Sequence, residues 1–450
     1  MKKLLILTIS IIMAFFFVAC GENPNPDSGK NPPDYIAGTE GLKYMVNTDK
    51  VSATFIGLGT ATGSEITIAS HYEGVPVTKI KRAALYENET VVKVNIPKQL
   101  KSIGPSAFMK ATKLETVSIP NDTALEEIGA YAFKNCTALK NLDIPLTVKV
   151  FGEEAVDGCP NFVLNDYKGG SYLGSSVNPY IILMRATSSD VTSLTVSKDC
   201  RIIYANSFYN CKKLESISFE SDANLTAIGN DAFGGCSALK ELTIPSSVER
   251  IGSSAFGAQR SSMTTMLNEG CTSLTKVTFS KDSKLTYLGE RAFDDCVSLV
   301  SVVNFEHTKL TEVLTGTFMQ FTKLNSIKLP KTVTVLNKWV FARCKNLQPN
   351  SVFAENGYLQ KIEQGVFREN HSYDNVVVPE TVTYIGDLCF SQGNTSKVIY
   401  LKNPDISTLH VNWNVLDGYG NRITYYVYSE TNKAGGWRYV NGLPKAYVEG

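Results

Sequence analysis

Histidine is scarce in this chain, which has only His71, His307, His371 and His410. None of the four stands in an HExxH or comparable ligand spacing, so nothing in their placement points to a metal or hydrolase centre. GxSxG, the P-loop and a GxGxxG following a strand are also missing. The Gly-rich stretch GLGTATG at residues 57–63 has no Lys and no helix pattern after it, and it reads as a hairpin. An excess of one charge is lacking too: 44 Lys+Arg stand against 43 Asp+Glu, so there is no basic surface for nucleic acid. Ten cysteines are present, but no CxxC pair. The adjacent acids Glu126-Glu127, Glu153-Glu154 and Asp294-Asp295 are sequence neighbours rather than carboxylates opposed across a cleft, and they read as solvated charge. The expectation is a protein with no catalytic residues, no metal and no cofactor, and so not an enzyme.

Long apolar runs are absent as well, with one exception. Met1-Lys2-Lys3 gives a positive start, and a mostly apolar segment of 16 residues follows from Leu4 to Ala19. That is short of the ~20 residues a spanning helix needs, so it reads as a signal peptide over residues 1–19. It closes in Phe17-Val18-Ala19-Cys20. This tetrad resembles the lipobox of bacterial lipoproteins. The resemblance implies cleavage before Cys20, lipidation of its thiol, export, and exposure at the cell surface, with that N-terminal lipid alone anchoring the chain to the outer membrane of a Gram-negative bacterium. After Cys20 the sequence GENPNPDSGKNPPD offers no apolar area to bury, and residues 20–34 are expected to form a disordered tether.

The rest of the chain repeats itself. Residues 128–145 read IGAYAFKNCTALKNLDIP, and residues 228–245 read IGNDAFGGCSALKELTIP. With the Phe of this unit as anchor, twelve copies can be counted: Leu85, Phe108, Phe133, Val156, Phe208, Phe233, Phe256, Phe293, Phe318, Phe341, Phe367 and Phe390. Most neighbours are 23 or 25 residues apart, while the gaps after Val156 and Phe256 are 52 and 37. Five residues before the anchor stands an apolar residue such as Ile103, Ile128 or Ile251, often followed by Gly, which suits a tight turn or a close backbone approach. After the anchor comes an L-x-x-I-x-I-P segment whose alternation has the period of a half-buried strand, ended by Pro. A single unit buries about six large apolar side chains at ~1.5–3 kcal/mol each, too little against an ordering cost of ~1.5 kcal/mol per residue. Stacking the units shares one core. The expected architecture is a β-rich leucine-rich-repeat solenoid: a curved parallel sheet of about twelve coils between two β-rich caps.

The IGxxAFxxCxxLxxIxIP unit resembles the bacterial BspA-type leucine-rich repeat. The resemblance implies an N-terminal β-rich cap over residues 35–77, repeats over 78–400 and a closing cap over 401–450 in which Trp437 covers the last coil. It also implies a variant coil at 165–200 whose core includes Tyr172, Leu173, Gly174, Asn178, Pro179 and Tyr180. Residues 257–270 form a second insertion. Around Asn350 the segment NSVFAEN departs from the repeat. Described members of the family are surface proteins implicated in adhesion, which implies a protein ligand at the cell surface.

Seven cysteines (136, 159, 211, 236, 271, 296 and 344) share one slot that elsewhere holds Ala111, Phe321, Asn370 or Gly393. A slot with that tolerance is a packing site, where a thiol serves as a small hydrophobe; Cys200 and Cys389 fall outside it. Alternation along the strands directs Thr116/Ser118, Asn141/Asp143, Ser216/Ser218, Glu241/Thr243, Lys276/Thr278 and Ser326/Lys328 outward. This small, polar row is the candidate ligand surface, represented by Lys276, Ser326 and Lys328, and it suits a protein partner. The alternative is a glycan, with Tyr172 and Tyr180 of the variant coil stacking on sugar rings.

Overall fold

Each copy of the repeat makes one turn of a solenoid, and the turn is shaped by where its backbone turns left-handed. In the computed structural model the residues two before and two after the anchor carry positive φ in coil after coil: Ser106 and Lys110, Tyr131 and Asn135, Asn206 and Asn210, Arg291 and Asp295, Trp339 and Arg343. A left-handed residue costs an L-amino acid roughly 1–2 kcal/mol, so packing must hold it there. The backbone on either side of it supplies much of that hold. Tyr131, Phe133 and Asn135 donate their N–H groups to the Glu153, Ala155 and Asp157 carbonyls of the next coil at 2.9, 2.7 and 2.7 Å. The structure describes residues 35–257, 270–391, 397–403, 409–411, 423–430, 435–440 and 443–447. Cys20, the signal segment, the tether and residues 258–269 of the second insertion lie outside them.

The solenoid has about fourteen turns and almost no helix; among the described residues the only helical elements are the 3-10 turns Phe305–His307 and Pro349–Ser351. The expected count of about twelve coils is approximately right, and the parallel ladder runs on past the anchors at both ends. At one end strand Ala53–Gly57 pairs with Val75–Ile80, and at the other Tyr384–Ile385 pairs with His410–Val411. The expected cap boundary at residue 77 therefore falls inside a strand.

The turns are joined by two sets of strands where the sequence pattern points to one. The L-x-x-I-x-I-P segments form one set, including the run Ser193–Val196, Ser216–Phe219, Glu241–Ile244, Lys276–Phe279 and Ser301–Val303. The second set consists of two-residue strands at the isoleucine before the anchor, such as Ile202–Ile203, Ala227–Ile228, Arg250–Ile251 and Tyr287–Leu288. Strands this short leave no periodicity in the sequence. Between the two sets the anchor rings stack, with centroids 5.0 Å apart for Phe108/Phe133, 5.3 Å for Phe233/Phe256 and 5.1 Å for Phe256/Phe293. The 37-residue gap thus leaves the stack intact. Cys271 donates its N–H back to the Phe256 carbonyl at 3.0 Å, so the insertion leaves and re-enters the coil at one point.

The variant coil is an antiparallel meander, Asn165–Tyr167, Gly170–Leu173 and Ile182–Ala186, whose last strand pairs in parallel with Ile202–Ile203. It is apolar on both faces. Tyr172, Leu183 and Ile203 belong to the core that follows, and their neighbours Leu173, Ile182 and Ile202 belong to the core that precedes. Successive strand residues point to opposite faces, so this one sheet is a partition between two hydrophobic cores.

Around Asn350 the strand is replaced by the 3-10 turn Pro349–Ser351. The Asn350 side chain takes over part of the missing pairing: its Oδ1 accepts the Val377 N–H at 2.7 Å, and its Nδ2 donates to the Asn375 carbonyl at 3.5 Å. A side-chain amide so placed covers the open edge of strand Asn375–Val378.

Candidate ligand surface

The strands Ser193–Val196 to Ser301–Val303 hold their outward residues in register. Glu241 is level with Lys276 and Lys276 with Ser301; Thr243 is level with Thr278. Ser216, Ser218, Glu241, Thr243 and Lys276 are exposed while Leu242, Val277 and Phe279 are buried beneath them. The rows are knitted by polar contacts between coils: the Thr195 and Ser218 hydroxyls lie 2.9 Å apart, and Lys240 pairs with Glu215 at 2.6 Å. Exposed ion pairs of that kind contribute at most ~1 kcal/mol. They order the surface more than they stabilise it.

Ser326 and Lys328 are exposed as expected, but the segment that carries them is not a strand. The sheet ends one coil earlier, at Ser301–Val303. The coil after Leu324–Leu329 passes through Pro349 and a 3-10 turn, so among the described residues two backbone bonds join it to that segment, the Gln348 N–H to the Asn325 carbonyl and the Leu329 N–H to the Val352 carbonyl, both at 3.0 Å. Lys276 therefore sits in the sheet, and Ser326 and Lys328 extend the same row outside it.

Tyr172 is not a surface ring. It is fully buried, its hydroxyl accepts the Ser197 N–H at 3.4 Å, and burial pushes the phenol's pKa upward. Alternation explains this: on a sheet with a core on each side, neither set of residues faces water. Tyr180 is half-buried, 5.5 Å edge-on from Tyr172 and 4.9 Å from the ring of Tyr167. The polar part of the variant coil is instead a cluster the sequence does not announce. The Tyr167 hydroxyl and the Lys198 N–H (3.0 Å) both bond the Glu220 carboxylate, and Lys168 pairs with it at 3.1 Å. These contacts, the Tyr167 bond first, hold the Glu220 pKa down to about 2. Tyr167, Lys168 and Lys198 lie 53, 52 and 22 residues away from it in sequence.

Two further expectations change. Asp294 and Asp295 are buried, not solvated. The two ends of the second insertion close over them: a Cβ on Gly270 would meet the Asp294 carbonyl oxygen at 2.5 Å. Asp295 accepts a hydrogen bond from the Gln320 side chain at 2.7 Å, one coil on in the same left-handed position. The slot cysteines, for their part, do more than fill space. Cys136 donates its S–H to the Phe108 carbonyl at 2.9 Å, Cys236 to Phe208 at 3.1 Å, Cys271 to Phe233 at 3.3 Å and Cys344 to Phe318 at 3.1 Å. Each thiol thus ties its coil to the anchor of the preceding one. All nine described cysteines are free thiols, and burial raises Cys200 and Cys389 to about 12. Thiols so protonated are poor nucleophiles.

Among the described residues no group of His, Cys, Asp and Glu is placed to hold a metal ion, and no helix is long and apolar enough to cross a membrane. The pattern of the BspA type Leucine rich repeat region matches the chain in six copies, over residues 63–163, 186–289 and 263–398. Among solved structures, a leucine-rich repeat protein from Bacteroides ovatus is 21% identical over 87% of this chain and 99% of its own, with a TM-score of 0.35. A leucine rich cell surface protein from Faecalibacterium prausnitzii is 18% identical over 84% and 97%, with a TM-score of 0.29. A leucine-rich repeat protein from Eubacterium ventriosum is 16% identical over 80% and 94%, with a TM-score of 0.33. No curated protein matches the chain.

Proposed function

Because this chain belongs to the BspA-type leucine-rich repeat family, we propose that it is a surface-anchored adhesion protein that binds a protein partner and performs no catalysis. The observation that carries the reading is the in-register row of exposed Ser, Thr, Glu and Lys along the strands from Ser193–Val196 to Lys276–Phe279, continued by Ser326 and Lys328. Such a row offers hydrogen bonds and charge across several coils at fixed spacing, and recognition requires a few complementary side chains rather than a closed pocket. Catalysis would require an acid, base or nucleophile gathered in one cleft, whereas six of the seven slot thiols here are spent on coil-to-coil bonds. The glycan alternative loses its main platform with Tyr172 in the core.

Replacing Lys276, Ser326 and Lys328 together with alanine is expected to weaken partner binding by roughly tenfold or more, with the unfolding midpoint unchanged. Binding is measured on host extracellular proteins immobilised one at a time. A triple variant that binds its partner like the parent protein would remove this row from the site.

We further propose that Cys20 carries the lipid, that residues 20–34 hold the solenoid away from the bilayer, and that the membrane is the outer membrane of a Gram-negative cell. Cys20→Ser is expected to abolish acylation and release the protein from the membrane fraction. Acylated Cys20→Ser protein recovered from membranes would refute the anchor.

A further inference from the structure

In the regular solenoid each coil gives its successor two sets of backbone bonds. Carbonyls beside the short strand accept: Glu126 O takes the Lys149 and Val150 N–H groups at 2.8 and 3.1 Å, and Ile128 O takes that of Gly152 at 2.7 Å. N–H groups around the anchor donate, as described for Tyr131, Phe133 and Asn135. The coil of residues 149–159 receives all of these from its predecessor and passes none on. Among the described residues no backbone N–H donates to the Lys149 or Phe151 carbonyl, and the N–H groups of Glu154, Val156 and Gly158 reach no backbone carbonyl. The coil that follows in the stack is committed elsewhere, because Arg201 and Tyr204 donate to the Ile181 and Leu183 carbonyls of the meander, both at 2.8 Å. The short-strand ladder accordingly stops at Val150–Phe151 and restarts with Ile182–Ala186.

Two clefts follow this open edge. One, of about 330 Å³, lies between Lys149–Glu153 and Ile202–Ala205; the other, of about 370 Å³, lies between Val156–Pro160 and Met184–Arg185. Tyr204 stands between them, its ring 5.6 Å edge-on from Phe151 and its hydroxyl donating to Asp157 at 3.0 Å. The later break in the ladder, after Tyr287–Leu288, differs: Arg291 and Phe293 still donate to Thr315 and Thr317 at 2.9 and 3.1 Å, so those coils remain joined.

We infer that the edge of residues 149–159 binds an extended peptide segment of a protein partner, which pairs with it as an added strand. Acceptors at positions 149 and 151 and donors at 154, 156 and 158 recur with the period of two at which an extended polypeptide presents its own groups. Recognition by strand addition takes affinity from the backbone and leaves side-chain pockets to select the sequence. The apolar wall of Phe151 and Ile202 and the charged rim of Lys149, Glu153 and Arg250 would do that here. The inference rests on the protein-partner reading and names how the partner is held.

The probe is a fluorescent peptide copying residues 246–257. In its native place this segment donates the Arg250 and Gly252 N–H groups to Thr226 O and Ile228 O at 3.2 and 2.8 Å, and its Ser253 and Ala255 carbonyls accept from Asp231 and Phe233 at 2.9 and 2.7 Å. It therefore matches the acceptors at 149 and 151 and the donors at 154 and 156. Full-length protein is expected to bind it saturably by fluorescence anisotropy, and N-methylation at the two donor positions should weaken binding by about tenfold or more. Ala227→Trp, which fills the first cleft, should do the same. Should that variant fold poorly, hydrogen exchange of the parent protein serves instead: the Glu154 and Val156 amides become protected on adding peptide. The triple variant at Lys276, Ser326 and Lys328 is expected to bind the peptide normally, which separates this site from the polar row. Absence of saturable binding, equal binding of the methylated peptide, or binding only after deletion of residues 258–269, which would make the chain its own occupant, each overturns the inference.

Discussion

Phe293→Ala is expected to destabilise the protein by about 3–5 kcal/mol, as deletion of a buried aromatic side chain does. The ring is 1% exposed and lies in the middle of the stack, with centroids 5.1 Å from Phe256 and 6.1 Å from Phe318. The collapse that would limit the loss is blocked from several sides. The backbone at Phe293 is pinned by its N–H to the Thr317 carbonyl at 3.1 Å, and Arg291 and Asp295 on either side are held at positive φ. The vacated volume therefore stays open. Contacts in a solenoid run between nearest neighbours, so hydrogen exchange should accelerate most between Leu288 and Leu299 and in the coils of Phe256 and Phe318. Uniform acceleration along the chain, or none, would contradict the stacking.

The second large effect comes from adding one carbon. Gly289 has an ordinary φ, so its conformation is open to any residue, yet a Cβ there would lie 2.3 Å from the Ser253 nitrogen and 2.4 Å from the Gly252 carbonyl carbon. Both are backbone atoms of the preceding coil, and they cannot swing aside. Gly289→Ala is expected to cost about 3 kcal/mol, the upper end for overpacking, read from the denaturant midpoint. The ring spacings argue for it. Phe256 and Phe293 are 5.1 Å apart across this glycine, whereas the coils that carry Leu314, Asn337 and Glu363 in the same slot stand at 6.1, 5.6 and 5.8 Å from their predecessors. Glycine permits the closer stacking, although Gly386 keeps it at 5.7 Å across Phe367/Phe390. A loss below about 1 kcal/mol would show that the coil slides apart freely.

The repeat, its anchors and its Pro-ended strands are legible in the sequence because each coil meets the same environment, and the same residue types solve the same packing problem. Where the environment changes, that reading fails in ways that can be traced. Tyr172 looks like a loop aromatic because alternation is read as one face in and one face out, and the meander has two inner faces. Asp294-Asp295 reads as surface charge because nothing local tells that the ends of an insertion finishing 24 residues earlier, at Gly270, will cover it. Strand spacing places Lys276 and Lys328 on one sheet, but the sheet needs a next strand to pair with, and Pro349 removes it. The Glu220 cluster and the open edge at residues 149–159 are products of how distant segments are joined. No motif encodes either.

The meander that divides the two cores also sets an order in time. The core before it is closed by Leu173, Ile182, Ile202 and Tyr204, with Ala227 alone packed onto it from further along the chain. Chains are made and exported from the N-terminus, and units that can bury their apolar surface fold first. Roughly the first half of the polypeptide can thus complete its core while the remainder is still emerging, and the finished partition, with Tyr172, Leu183 and Ile203 on its far side, becomes the template on which the next coil is laid.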